Sequence, residues 1–234
     1  MKAVIADERI DAACQESLAA KGFEIIKLPA YGGLQSPVSA HPDMLIFIGG
    51  GKAFCHEKYY KVAKKQIDKI LSLVDFSLVL SDERWDAEYP HDVLFNAARV
   101  GDKLICSKKS TSRLLLCLYG EENVIDTKQG YAKCSTCTVG ENGIITADKS
   151  IAKAAEREGI DVLLLPDSCT RLDGYDTGFI GGASGDDGEN VFFCGDISRH
   201  PEYLRIQEFC QKHGRDVVSL SDNELYDYGS LIFI

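Results

Sequence analysis

The sequence predicts an α/β protein in which five pseudo-symmetric ββαβ units form a five-bladed propeller around a central channel. The first observation behind this prediction is a recurring segment of glycine, any residue, an acid and a β-branched apolar run, which begins at Gly22, Gly159 and Gly214. The second is an apolar hairpin pattern with a glycine-rich turn before each helical stretch. The third is that the sequence finishes on four large apolar residues, 231–234.

Each unit is expected to end in a helix that is followed by a buried strand. Apolar residues recur at spacings of three and four over Asp11 to Lys21, Ser150 to Glu158 and Pro201 to Lys212, which favours amphipathic helices. The recurring glycine comes directly after or close to each of these stretches, where a helix C-cap is expected. Residues 121–126 are a degenerate copy of the segment that the glycine introduces.

The hairpins that begin the units recur at nearly regular intervals. They are predicted at residues 44–54, 93–105, 136–147 and 179–194, and each contains a glycine in its turn. The predicted openings of the five units are Asp43, Asp92, Cys134, Asp176 and Asp227, spaced 42 to 51 residues apart. We therefore predict one domain, 1–234, with units at about 41–90, 91–133, 134–175, 176–226, and 227–234 joined to 1–40.

The fifth unit is split between the two ends of the sequence. Residues 231–234 supply one strand and residues 3–7 the next, so that pairing between them closes the propeller. The alternation of helices and strands also fits an open, doubly wound sheet. That alternative does not explain a glycine-turned hairpin before every helix, nor a strand in the last four residues.

Composition limits the partners that this protein is expected to have. Of the 234 residues, 45% are hydrophobic and 26% charged, which is ordinary for a globular protein. The formal net charge of −10 argues against nucleic acid or an anionic membrane as the partner and leaves room for a small cationic molecule. The apolar runs are too short for a signal peptide or a membrane helix. Nine scattered cysteines without an export signal indicate reduced thiols, so we expect a cytoplasmic protein. No cofactor is expected.

Five ββαβ units around a channel resemble the pentein fold of guanidino-group-modifying enzymes. This superfamily includes arginine and agmatine deiminases, dimethylarginine hydrolases and amidinotransferases, and also a non-catalytic ribosome anti-association factor. The segments Gly178 to Gly182 and Val191 to Gly195 resemble an uncharacterised bacterial family of the same fold. The run His41-Pro42-Asp43-Met44 resembles an element of the agmatine deiminase-like members.

The resemblance implies roles for particular residues. His41 corresponds to the acid/base of the agmatine deiminase-like members and Asp43 to the acid that holds the guanidinium. Their cysteine nucleophile opens the unit two positions later, where this sequence has Cys134 followed by Ser135 and Thr136, with Lys133 in place of the family's histidine. Within the predicted channel, Asp43, Asp92, Asp176 and Asp227 would then bind a planar cation through charge-assisted hydrogen bonds.

Other functions fit the same residues. Cys134 and Cys137 form a Cys-x-x-Cys pair, which could act in thiol redox chemistry or supply half of a zinc site. No second pair completes such a site, so no metal is expected. Asp residues at equivalent positions can also be turn-capping features of a repeat fold. The sequence therefore leaves two main hypotheses: a cysteine-dependent hydrolase or deiminase of a small guanidino or amidino compound, and a non-catalytic binding protein like the ribosome factor.

Overall fold

The computed structural model describes residues 2–234. The helices in this part of the chain are Ala12–Ala20 (α1), Pro42–Leu45 (α2), Glu57–Leu73 (α3), Arg113–Tyr119 (α4), Lys149–Arg157 (α5) and Tyr203–Lys212 (α6). The strands are Ala3–Asp7 (β1), Glu24–Leu28 (β2), Ile46–Gly49 (β3), Lys52–His56 (β4), Ser77–Ser81 (β5), Ala98–Val100 (β6), Lys103–Cys106 (β7), Val124–Asp126 (β8), Cys137–Val139 (β9), Gly143–Thr146 (β10), Asp161–Leu164 (β11), Ser184–Asp186 (β12), Asn190–Phe193 (β13), Asp216–Ser219 (β14) and Ile232–Phe233 (β15).

These strands form five three-stranded sheets with one repeated topology. In each sheet an antiparallel hairpin is followed, across a helical connection, by a third strand parallel to the second. The sheets are β3-β4-β5, β6-β7-β8, β9-β10-β11, β12-β13-β14 and β15-β1-β2. The predicted mixed α/β fold of ββαβ units is confirmed.

The last sheet joins the two ends of the sequence. Strand β15 pairs antiparallel with β1, with Val4 opposite Phe233 and Ile5 opposite Ile232. Strand β1 then pairs parallel with β2 over its whole length. The side chains of β1 are completely buried, because this strand lies in the middle of its sheet.

The recurring glycines sit where the helices end. Gly22, Gly159 and Gly214 have φ angles of 86°, 78° and 69°. This left-handed conformation is costly for residues with a Cβ atom and ends a helix by turning the chain towards the next strand. The three glycines therefore end the helices, as the sequence pattern predicts, although each lies one residue beyond the C-cap, which is Lys21, Glu158 or His213.

Two predicted unit openings differ from a simple strand start. Asp43 lies inside the four-residue helix α2, which begins at Pro42, since proline is favourable in the first turn of a helix. Asp176 is exposed in the long connection between β11 and β12.

No helix among residues 2–234 is long and apolar enough to cross a bilayer.

The first strand of every sheet faces one internal space, which we call the central cavity. It has a volume of about 540 Å³ and is lined by residues of β3, β6, β9, β12 and β15. Asp43 and Lys133, which precede β3 and β9 respectively, also line it. The fold thus places the residues just before the first strands at one end of the cavity.

Candidate active site

Three chemically reactive side chains converge in the protein interior. A ring nitrogen of His41, a carboxylate oxygen of Asp43 and the sulfur of Cys134 all lie within 4.8 Å of one another. Each residue is at most 2% exposed. The short helix α2 holds His41 at its N-cap and Asp43 in its first turn, while Cys134 lies in the turn before β9. The fold brings Asp43 and Cys134, which are 91 positions apart in the chain, into one cluster.

The Cys134 thiol is held between an acid and an amide. Its sulfur donates to Asp43 Oδ2 at 3.1 Å and accepts from Asn96 Nδ2 at 3.1 Å. The Asn96 side-chain oxygen accepts from the backbone N–H groups of Lys133, at 2.7 Å, and of Cys134, at 3.2 Å. Burial, together with the nearby carboxylates of Asp43 and Asp227, raises the pKa of Cys134 well above its usual range. The thiol is therefore protonated in the free protein.

Asp43 is linked to a cation through a hydroxyl group. Ser230 Oγ donates to Asp43 Oδ2 at 2.8 Å and accepts from Lys133 Nζ at 3.0 Å. Burial raises the pKa of Asp43, while the positive charge of Lys133 opposes this shift. The other carboxylate oxygen of Asp43 is buried without a hydrogen-bond partner among residues 2–234. The acid therefore retains an acceptor that a bound cation could use.

His41 lies between two further acids. Its Nδ1 atom is 3.8 Å from Asp227 Oδ1, and its Nε2 atom is 3.9 Å from Asp7 Oδ2. Both distances are too long for a hydrogen bond. Burial lowers the pKa of His41 to about 3, and the positive charge of Arg9 acts in the same direction. The imidazole is therefore neutral at physiological pH and able to accept a proton.

Asp227 and Asp7 are held by different kinds of partner. Burial and the Asp43 charge raise the pKa of Asp227 to about 7, although the backbone N–H groups of Gly229 and Phe179 donate to its carboxylate at 2.9 Å. Asp7 is fully buried and accepts two hydrogen bonds from the Arg9 side chain, at 2.5 and 2.9 Å. Asp7 therefore keeps a permanent cation partner, whereas Asp227 titrates near neutral pH.

Two glycines allow the backbone to approach these side chains closely. A Cβ atom at Gly182 would lie 1.9 Å from Asp227 Oδ1, and one at Gly229 would lie 2.1 Å from the His41 Cβ. Contacts this short are sterically forbidden, so only glycine fits at either position. Gly182 also follows Gly181, whose carbonyl lies 2.9 Å from Ser230 Oγ.

Two of the predicted substrate-binding acids lie outside this cluster. Asp92 is buried, but its Oδ2 atom accepts from the Tyr131 hydroxyl at 2.5 Å rather than contacting His41 or Cys134. Asp176 is exposed on its loop. The structure thus brings together Cys134, His41, Asp43 and Asp227 of the predicted site residues, and the proposed ligand roles of Asp92 and Asp176 stay predictions.

Several members of the cluster were not predicted as site residues. They are Asp7, Arg9, Asn96, Lys133 and Ser230. The sequence contained a signal for Asp7, because this acid ends the apolar run 3–7 of the split fifth unit. Asn96 had a weaker one, as a polar residue inside an otherwise apolar hairpin segment. Ser230 is recognisable only from the structure, where it has a φ of 73° and its hydroxyl group lies between Asp43 and Lys133.

Access to the cluster differs from residue to residue. The central cavity reaches Asp43 and Lys133, and a second cavity of about 490 Å³ reaches His41. Arg9, Tyr226 and Tyr228 line the second cavity. Cys134 borders neither space. Attack by its sulfur on a ligand therefore requires a local displacement of the groups that cover it.

The same residues bear on the metal and redox alternatives. His41, Asp43 and Cys134 offer nitrogen, oxygen and sulfur donors of the kind that zinc accepts, once the thiol is deprotonated. Cys134 and Cys137 are both free, buried thiols. Burial raises the pKa of Cys137 to about 11, so neither cysteine carries the thiolate character that disulfide exchange requires.

Comparison with known proteins relates this geometry to solved structures. A cysteine-to-serine mutant of Pseudomonas aeruginosa DDAH, complexed with citrulline, matches with a TM-score of 0.57 and 12% sequence identity, over 94% of this chain and 92% of that one. SxtG, an amidinotransferase from the Microseira wollei saxitoxin pathway, matches with a TM-score of 0.50 and 12% identity, over 94% and 88%. ArgZ, a cyanobacterial arginine dihydrolase, matches with a TM-score of 0.52 and 10% identity, over 96% of this chain and 36% of that one.

Sequence comparison identifies the family. Comparison with curated protein sequences gives no match. The model of a family of unknown function, DUF6873, matches residues 5–232, which is nearly the whole chain. The three structural neighbours are pentein-fold enzymes, and the likeness to them establishes the fold alone. This chain belongs to the DUF6873 family, and its fold is that of the pentein enzymes, as its sequence indicates.

Proposed function

We propose that this protein binds a small guanidino or amidino compound beside Asp43 and hydrolyses one of its C–N bonds through Cys134. The observation that carries the proposal is the convergence of the Cys134 sulfur, a His41 ring nitrogen and an Asp43 oxygen within 4.8 Å. The fold of the neighbouring DDAH, amidinotransferase and arginine dihydrolase structures supports it. Each of these neighbours is named for chemistry at a guanidino or amidino group.

Charge favours a cationic ligand at this place. The unpartnered oxygen of Asp43 and the carboxylate of Asp227 both lie in a buried region where burial raises their pKa values. A guanidinium ion would donate hydrogen bonds to both acids and stabilise their charged forms, because opposite charges attract strongly away from water. Binding of the cation and ionisation of Asp227 are therefore coupled.

The proposed reaction needs one nucleophile and one group that carries protons. The Cys134 sulfur forms a bond to the central guanidino carbon, and the thiol proton passes through His41 to the departing nitrogen, which leaves as a neutral amine. Water then adds to the same carbon and gives a proton to His41. Cleavage of the carbon–sulfur bond returns that proton to sulfur, while the second proton of the water passes to the released amine as the carbonyl group forms, so that a neutral urea and an ammonium ion leave. The bound cation also favours the thiolate form of Cys134.

A non-catalytic binding role is the second candidate, and two observations favour it. Cys134 borders neither the central cavity nor the second cavity, and its pKa is raised rather than lowered. Lys133 in addition supplies an internal cation that reaches Asp43 through Ser230. In this case the protein would hold a cationic ligand at Asp43 without covalent chemistry.

A probe and a ligand screen together separate the two candidates. We expect a chloroacetamidine probe at neutral pH to label Cys134 selectively, as read by intact mass and peptide mapping. As a control, a guanidino or amidino compound that raises the melting temperature should protect the Cys134 thiol from the probe. Stabilisation by such a compound without labelling or ammonia release would favour the binding role. Absence of labelling, stabilisation and product release with all compounds would contradict both candidates.

We further propose that the five sheets form a closed five-bladed propeller. Strand β6 contacts β9, β9 contacts β12 and β12 contacts β15. The central cavity is lined by the first strands of all five sheets, as expected if they surround one axis. The pairing of β15 with β1 would then close the ring.

Removal of residues 231–234 tests this closure. We expect the truncated protein to lose its cooperative unfolding transition, because β1 would lose its antiparallel neighbour and Leu231 its buried place. Circular dichroism during urea unfolding measures this. A matched four-residue substitution on the exposed face of α3, at Lys58, Lys61, Lys65 and Lys69, should leave the transition intact. A cooperative transition of unchanged midpoint in the truncated protein would contradict the closed arrangement.

A further inference from the structure

The central cavity offers a binding space of its own beside the reactive cluster. Its walls follow the first strands, of which β3 has four residues and β6 three, so they are about 10 to 13 Å long at ~3.3 Å per residue. Apolar side chains form much of these walls, among them Phe47, Ile48, Phe76, Phe95, Ile232 and Phe233. An elongated apolar group would bind there favourably, since it removes their surface from water.

Lys133 places a cation at the inner end of the cavity. This residue precedes β9, lines the cavity and is only partly buried. Its ammonium group donates one hydrogen bond, to Ser230 Oγ at 3.0 Å, and forms no ion pair with the described residues. An ammonium group carries three N–H donors. Two of the three therefore have no partner among residues 2–234.

Arg99 places a second cation towards the hairpin turns. It is an exposed residue in the middle of β6 and makes no side-chain hydrogen bond or ion pair with the described residues. Arg99 also lines an adjoining space of about 430 Å³, together with the turn residues Gly101 and Gly140. Its guanidinium group has the planar fork of donors that matches a carboxylate.

The acids that line the cavity do not neutralise these two cations. Asp186 accepts from Arg215 Nε with both oxygens, at 2.9 and 3.0 Å, and from the backbone N–H of Gly140 at 2.6 Å. Asp43 reaches Lys133 only through Ser230, and burial raises the pKa of this acid, which reduces its negative charge. Positive charge therefore remains unpaired at two levels of the cavity, in a protein whose net charge is −10.

We infer that the central cavity binds a linear α,ω-dicarboxylate, whose methylene chain packs on the phenylalanine walls and whose two carboxylates pair with Lys133 and Arg99. A dicarboxylate is favoured over a monocarboxylate because it pairs with both cations at once. A diamine of the same length is excluded, because its charges would meet like charges. This inference goes beyond the proposed function, since it requires neither a cation beside Asp43 nor any reaction of Cys134.

A homologous ligand series tests the two-cation arrangement. Calorimetry compares dicarboxylates from succinate to dodecanedioate with monocarboxylates and with α,ω-diamines of the same lengths. We expect one dicarboxylate per chain, an optimum at an intermediate length, and about 5-fold tighter binding than the matching monocarboxylate, as one additional exposed ion pair supplies. Dicarboxylates that bind no more tightly than monocarboxylates, or diamines that bind equally well, would overturn the inference.

Substitution of either cation should remove the advantage of the dicarboxylates. We expect Arg99→Gln and Lys133→Met each to lower dicarboxylate affinity about 5-fold, to the level of the monocarboxylate. Arg157→Gln and Lys153→Met, at exposed positions on α5, are the matched controls and should change nothing. Arg99 is exposed, so Arg99→Gln keeps the test decisive even where Lys133→Met fails to fold. A dicarboxylate advantage that persists in a folded Arg99→Gln protein would contradict the arrangement.

A third position tests where the ligand lies. Thr138 in β9 lines both the central cavity and the adjoining space at the turns. Thr138→Trp should weaken dicarboxylate binding by about 10-fold or more, because the indole would occupy the place of the methylene chain. Thr138→Val should bind normally, and circular dichroism checks that both variants are folded. Unchanged binding in a folded Thr138→Trp protein would place the ligand elsewhere and overturn the inference.

The inference and the proposed function can fail separately. Labelling of Cys134 by the chloroacetamidine probe without any dicarboxylate binding would overturn the inference and leave the proposed function standing. Dicarboxylate binding that depends on Arg99, in a protein whose Cys134 is neither labelled nor protected, would support the inference and contradict the proposed reaction.

Discussion

Replacing Cys134 with alanine is expected to abolish turnover of any guanidino or amidino substrate, by about 10³-fold or more. The reason is that removal of the nucleophile leaves no group able to form the covalent intermediate, and losses of this size are usual for such residues. In the proposed binding mode ligand binding should survive, because Asp43 and Asp227 rather than Cys134 would accept the hydrogen bonds of the cation. Release of ammonia or amine measures turnover, and the ligand-induced shift in melting temperature measures binding.

Cys137→Ala provides the matched control for this prediction. It removes a buried thiol three residues away, in β9, without touching the cluster. Turnover should remain within a few-fold of the original. Loss of turnover in both variants would point instead to a thiol pair acting together, while substantial turnover by a folded Cys134→Ala protein would exclude covalent catalysis by this residue.

The pH dependence of stability should reveal two buried groups that oppose each other. The pKa of Asp227 is raised to about 7, so the folded protein binds more protons there than the unfolded chain between about pH 4 and 7. Its contribution to stability is therefore lost as the pH rises through 7. The pKa of His41 is lowered to about 3, so its contribution is complete above about pH 6.5 and is lost as the pH falls.

These contributions have opposite slopes over the same range. Each amounts to about 1.4 kcal/mol of unfolding free energy per pH unit at its steepest, so they largely cancel in the unmodified protein. In His41→Gln the stability should fall as the pH rises from 4 to 7, since Asp227 acts alone, with Asp43 adding in the same direction. In Asp227→Asn the loss of stability that Asp227 causes at rising pH is removed. The free energy of unfolding should then rise between about pH 4 and 6.5, because the contribution of His41 is no longer cancelled.

Urea unfolding at intervals between pH 4 and 7 measures these slopes. Asp176→Asn, which changes an exposed acid, should follow the profile of the unmodified protein. Parallel profiles for His41→Gln and Asp227→Asn would show that the two groups do not titrate as their burial requires.

The sequence pattern predicted most of the helices and strands, because the same short-range signals recur in several of the five units. Positive-φ glycines after helices and glycine turns within hairpins are short-range features, so Gly22, Gly159 and Gly214 could be assigned from neighbours alone. The pairing of β15 with β1 was predictable because a strand rich in apolar residues needs a partner to bury it. The position of Asp43 within α2 was not predicted, since a single helical turn carries almost no periodic signal.

The candidate site was only partly predictable for a different reason. Cys134, Asp43 and Asp227 were predicted at the openings of their units, His41 was predicted from its resemblance to a family element, and the structure places these four together. Asp92 and Asp176 shared the same repeat position but point to different surroundings, because the connections between units differ in length and packing. Residues at equivalent repeat positions occupy the same place along their units. The side chains that surround each of them come from neighbouring units and are therefore different.

The sequence by itself determined the α/β class, the ββαβ repeat, the joining of the two ends and the small set of residues able to carry chemistry. Only the tertiary structure decided which of those residues meet, that Asn96, Lys133 and Ser230 join them, and which way each one titrates. Periodicity and capping depend on residues a few positions apart. The protonation of Cys134, His41 and Asp227 depends instead on burial and on charges brought from distant units, which no local pattern records.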